Sequence, residues 1–151
     1  MVNKSVFNIN DNNEFIERIN KLSPQSKALW GKMDVSQMFV HLQIITKVTL
    51  GELKLKRGLL GILSGTIAKK VLINNKPFPK NLMTDKSFVV VEQKQFEEEK
   101  NKLIFLIKKF PSLSPDGLSQ SVHPVFGKLT FNEWDTLQWK HVDHHLRQFG
   151  V

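Results

Sequence analysis

Apolar positions recur at helical spacing over most of this chain. After Asn10-Asp11, which read as an N-cap, Phe15, Ile16, Ile19 and Leu22 follow one another on one face until Ser23-Pro24 stops the run. Leu29-Trp30-Gly31-Lys32-Met33 reads as a turn. Asp34 then starts a second helix, with Gln37 placed to close a capping box, and Gly51 offers a C-cap just after Leu50. Residues 58–73 form a third helix whose Gly61 and Gly65 leave room for a close neighbour. Residues 74–79 are a loop, and Ser87 to Val91 is extended or at most a brief strand.

Glu92 to Phe110 carries the strongest helical pattern. Its glutamates come early and Lys108 and Lys109 come last, which suits the helix dipole, and Phe96, Leu103, Leu106, Ile107 and Phe110 form its apolar stripe. A Ser/Pro/Gly-rich connection over residues 111–129 is long for a compact domain without a function. Thr130 and Glu133 pair as a second capping box, and the last helix is expected to run to Phe149 and end at Gly150. Four or five helices and no convincing sheet predict an all-α helical bundle.

A length of 151 residues, 40% of them hydrophobic, fits one globular domain spanning residues 1–151. The N-terminus has no apolar run of the kind a signal peptide needs, and the apolar stretch over residues 58–73 is too short to cross a bilayer. A soluble cytoplasmic protein without membrane partners is expected. Of the net charge of +8, residues 52–80 supply most, with seven cations against Glu52 alone. A solvated lysine-rich surface is the plain reading. Nucleic-acid binding is disfavoured because aromatic residues do not alternate with these lysines, Phe78 alone falling among them.

The absence of cysteine changes the chemistry available. It excludes a disulfide scaffold, a zinc ribbon, an iron–sulfur centre and a thiol nucleophile, so any metal must be held by nitrogen and oxygen. Five histidines remain: His41, His123, His141, His144 and His145. With His141 at 0° on the last helix, Trp134 lies at about 20°, His145 at about 40° and Leu137 at about 320°, while the polar residues fill about 180–280°. His144, at about 300°, sits at the edge of the charged face. On the second helix, His41 shares its arc with Ile45, Val48 and Met38, while Ser36, Gln43 and Lys47 fall at about 200–240°. Three histidines thus face inward, two of them at i, i+4. Either each finds its own buried hydrogen-bond partner, or they share one divalent ion.

The segments Leu29-Trp30-Gly31-Lys32-Met33, Ser36-Gln37-Met38 with His41, His123 to Thr130, and Glu133-Trp134 followed by His141 to Phe149 together resemble the DinB/YfiT-like superfamily, and most closely a bacterial branch of unknown function. The resemblance spans nearly the whole chain. It implies an antiparallel four-helix bundle with a short extra helix and a long loop before the last helix. The superfamily pattern, one His on the second helix and a His-x3-His pair on the last, falls on His41, His141 and His145. The implied metal is nickel, zinc or iron, with open positions for water. Characterised relatives include thiol S-transferases and a thiol-dependent isomerase. The resemblance therefore implies a low-molecular-weight thiol such as bacillithiol, mycothiol or glutathione as cosubstrate, and it allows a homodimer.

Other residues have two readings each. His123 could stand outside the ligands as a base or substrate contact, but a loop-structuring role before Pro124 is favoured. Trp30 and Trp134 line a cavity or fill the core. Asp143 lies on the wrong side of the last helix to orient either imidazole, and Arg147 belongs to the surface unless an anionic cosubstrate reaches it. The leading functional reading is a metal-dependent thiol S-transferase or metallohydrolase. The alternative is a non-catalytic, metal-stabilised binding or structural module.

Overall fold

Two capping boxes frame the molecule, seen here in a computed structural model that describes residues 4–74, 76–82, 86–118 and 122–151. The Asp34 carboxylate accepts the Gln37 backbone N–H at 2.8 Å while the Gln37 side chain accepts that of Asp34 at 3.0 Å, starting α2 (Val35–Thr49). Thr130 and Glu133 make the same exchange at the start of α6 (Phe131–Gln148). Gly51 and Gly150, just past these helices, take the left-handed conformation that ends them without strain.

The chain is mostly helical. Between and around these two lie α1 (Ile9–Asn20), α3 (Leu59–Leu72), α4 (Phe96–Ile107) and the four-residue α5 (Pro115–Leu118). The cap of α1 is Asn8, not Asn10-Asp11: its side chain accepts the Asn10 and Asp11 N–H groups, so both residues lie in the first turn. Helix α4 begins four residues later than its sequence pattern suggests. The carboxylate of Glu92 pairs with Lys94, and its carbonyl accepts a long hydrogen bond from Gln37, so this stretch is held outside the helix. A 3-10 turn over Lys86–Phe88 replaces the first part of the strand-like run.

The connection before α6 also corrects the expectation of no sheet. It holds a 3-10 turn at Phe110–Ser112, then α5, then an antiparallel hairpin of β1 (Val122–His123) and β2 (Gly127–Lys128). Parts of three expectations, the N-terminal segment 1–3, Asn75 in the loop after α3, and residues 119–121 of this connection, lie outside the described residues.

Helix α2, buried along most of its length, packs on α4 and α6, while α1 lies against the same two. One apolar cluster joins Phe15, Ile19, Phe39, Leu103, Phe110 and Leu146; a second joins Ile45, Val48, Phe88, Leu129, Trp134 and Leu137. The polar arc of α2 does not face water. Ser36 and Gln43 are buried, and Gln43 donates to the Glu99 carboxylate of α4 at 2.8 Å. Gln138 of α6 likewise donates to Thr46 of α2 at 2.8 Å. Such fully satisfied buried pairs fix how the two helices sit, because any other register would strand a polar group. Helix α3 packs its glycines on the hairpin loop, where a Cβ at Gly61 would fall 2.7 Å from the Pro124 carbonyl. No described helix is long and apolar enough to cross a membrane.

Candidate metal centre

Helices α2 and α6 bring three imidazoles together. His41 comes from the second turn of α2, and His141 and His145 from successive turns of α6. One ligand nitrogen from each lies within 4.8 Å of the other two. The Nε2 atoms of His41 and His141 are 2.9 Å apart, and all three rings meet edge-on with centroids 4.6–4.8 Å apart. The i, i+4 spacing put two of these rings on one face of α6, and the buried contacts of α2 with that helix supply the third.

Two of the tautomers are fixed from behind. His41 Nδ1 lies 2.8 Å from the Phe88 carbonyl oxygen, which can only accept, so the proton sits on Nδ1 and the Nε2 lone pair points inward. His145 Nδ1 lies 2.7 Å from Gln148 Oε1. The Gln148 amide cannot be turned over, because its Nε2 donates to the Trp30 carbonyl at 2.6 Å. His145 is therefore also protonated on Nδ1. This support depends on Gly31, where a Cβ would stand 2.5 Å from the Gln148 nitrogen and where φ is +82°. The Leu29–Met33 turn thus reaches the site through its backbone.

This donor set is compatible with a bound cation. Two nitrogens present lone pairs, only His141 has a proton to offer between them, and His141 Nδ1 is itself buried without a hydrogen-bond partner. Zinc–nitrogen bonds of about 2.0–2.1 Å in a tetrahedral site place ligand nitrogens ~3.3 Å apart, within the span observed here. Three neutral nitrogen ligands could hold a metal ion and leave a coordination position open. Burial also keeps the rings neutral. It holds His145 at about 3, with the neighbouring His41 adding to the effect. His141 lies well below its ordinary value for the same reason, with His145 and His41 next in importance. Burial lowers His41 too, against the raising influence of the Phe88 carbonyl.

The other singled-out residues fall around this centre. His123 is buried, and its Nδ1 accepts the N–H groups of Val125 and Phe126, both at 3.1 Å. That lone pair shapes the hairpin turn, so the neutral ring carries its proton on Nε2 and presents a donor. Burial and the Arg57 charge hold His123 at about 3. His144 stays outside the cluster, its ring 5.1 Å from that of His145 and 5.7 Å from Trp30. Asp143 pairs with Arg18 and Arg147 and touches no imidazole of the cluster. Trp134 is core, with no exposure; Trp30 is half-buried at the mouth of a cavity. Phe88 and Gln148 were not foreseen. Only the i, i+3 spacing of His145 and Gln148 hinted at either.

No curated protein and no solved structure matches the chain significantly. A family model does, over residues 1–150, which include every residue of the centre and of its support. The chain therefore belongs to the family described as "Protein of unknown function (DUF1569)".

Proposed function

We propose that this protein is a DinB/YfiT-like antiparallel four-helix bundle, built on α1, α2, α4 and α6, that binds a divalent cation through His41, His141 and His145. In this reading it is a metal-dependent thiol S-transferase or a related hydrolase acting in the cytoplasm. The observation that carries the proposal is the convergence of three neutral imidazoles with two tautomers locked from outside. Nickel, zinc and iron all suit three nitrogen ligands.

A divalent ion held there supplies Lewis acidity that lowers the pKa of a thiol or a water. The chain's own residues do the rest. The Phe88 carbonyl and the Gln148 amide keep protons on the outer nitrogens of His41 and His145, so the inner nitrogens stay available as ligands. Burial keeps all three rings uncharged at neutral pH. With no cysteine in the chain, any reacting sulfur arrives with a low-molecular-weight cosubstrate. His123 spends its Nδ1 lone pair on the Val125 and Phe126 N–H groups, so its neutral ring can act only as a donor, through Nε2.

Elemental analysis of the purified protein, followed by an activity screen of the zinc-, nickel- and iron-loaded forms with thiols and model electrophiles, tests the reading. One ion per chain, lost in the triple His41→Ala, His141→Ala, His145→Ala variant, together with thiol-dependent turnover, is the expected result. Metal without turnover or thiol binding, and a melting temperature that falls on chelation, would instead favour a metal-stabilised binding module. Absence of metal together with unchanged stability of the triple variant would defeat both.

A further inference from the structure

Beside the histidine centre, between α6 and the loop that follows α3, lies a cavity of about 140 Å³. None of the three clustered histidines lines it. Its apolar walls come from Trp30, Pro77, Phe78 and Trp139, with His144 between the cavity and the centre. A dry cavity of about 150 Å³ is enough to hold one benzene ring.

The rim is strongly cationic. Lys4, Lys76, Lys80, Lys140 and Arg147 line it against one carboxylate, Asp143. Lys4 is paired with Glu14, and Arg147 shares Asp143 with Arg18. Among the described residues, Lys76, Lys80 and Lys140 have no carboxylate partner. Lys80 lies over the Trp30 ring at 4.5 Å, and Lys140 over the Phe78 ring at 4.8 Å. Each ring wall therefore has an ammonium above it. Lys140 is held in place by the carbonyls of Leu72 and Asn74. A largely apolar cavity with the volume for one ring, rimmed by cations without a carboxylate partner among the described residues, is complementary to a molecule that is flat and apolar at one end and negative at the other.

We propose that this cavity is a binding site for a small organic acid, its ring between Trp30 and Phe78 and its carboxylate at Lys80 and Lys140. The site is built from residues outside the metal centre, so it does not depend on the metal reading. Its position next to His144 and His145 would set a bound acid beside the metal centre.

Phenylacetate and its neutral isostere phenylacetamide separate charge from shape. Titrations followed by indole NMR signals and calorimetry, on chelated and on zinc-loaded protein, are expected to show the acid binding about tenfold more tightly than the amide in both forms, as a charge-assisted contact requires. Lys80→Met, an exposed loop change that leaves the fold intact, is expected to remove several-fold of that preference. Lys140→Met is expected to remove a similar share; should it disturb the end of α3, to which Lys140 is bonded, Lys76→Met on the same rim serves as the second variant. Equal affinity for acid and amide, no binding of the acid, or full affinity in the Lys76→Met, Lys80→Met double variant would overturn the proposal. So would binding confined to the zinc-loaded protein, which would place the acid on the ion instead of in the cavity. Failure of metal loading with intact phenylacetate binding would count against the metal reading alone.

Discussion

The side-chain oxygen of Gln148 accepts the Nδ1 proton of His145 at 2.7 Å, one turn further along the same helix. The same amide is anchored to the Trp30 carbonyl, so a residue far away in sequence decides which nitrogen of His145 faces the centre. Replacing Gln148 with Leu removes this control. Metal affinity is expected to fall by roughly 10–100-fold, the usual loss when a ligand's outer partner is deleted. A zinc competition titration against a chromophoric chelator reads this directly. Unchanged affinity would mean that the amide does not set the tautomer.

Gly31→Ala should produce a milder form of the same defect. The new Cβ would press on the Gln148 nitrogen, and the backbone there has the positive φ that only glycine adopts freely. Both the midpoint of urea unfolding and zinc affinity are expected to drop. A stability loss with no change in zinc affinity would show that the turn yields without moving Gln148.

His123 separates a structural role from a chemical one. His123→Leu leaves the Val125 and Phe126 N–H groups without their acceptor and is expected to cost roughly 1–3 kcal/mol per buried group left unsatisfied. His123→Asn offers a side-chain oxygen near the same place and should recover much of that loss. If the Asn variant is as unstable as the Leu variant, the imidazole is needed for more than its Nδ1 lone pair.

Acid should unfold the metal-free chain early. In the native state His123 and His145 are held at about 3, against about 6.5 in an unfolded chain. Between those limits the unfolded state binds more protons, so the stability is complete above pH of about 6.5 and is lost as the pH falls towards 3. Each ring contributes a slope of roughly 1.4 kcal/mol per pH unit. Urea midpoints of chelated protein measured downward from neutral pH should show this decline. A flat profile would mean that the rings take up protons in the native state as readily as in the unfolded chain, so that burial does not hold them neutral.

What the sequence revealed about the centre follows from where its signals are local. The capping boxes at Asp34 and Thr130 involve residues three apart, and both form as their spacing predicts. The inward arcs of His41, His141 and His145 follow from helical geometry once those starts are known. Phe88 escaped notice because it acts through a backbone carbonyl brought to His41 by the 3-10 turn after α3, and no side-chain pattern marks that. The hairpin was hidden for a similar reason: two residues per strand give no alternation to read, and what defines it is His123 holding the turn from inside. The buried Gln43 and Ser36 misled in the opposite direction. A wheel treats polar residues as facing water, while here the partner of Gln43 is supplied by α4.

Lys140 is the residue immediately before His141, and its ammonium is gripped by carbonyls from the last turn of α3 and the start of the loop beyond. That loop also carries Phe78 and Lys80, which shape the mouth of the cavity. The cavity and the histidine centre are therefore mechanically joined by one pin. A displacement of that loop is passed through Lys140 to the backbone beside His141.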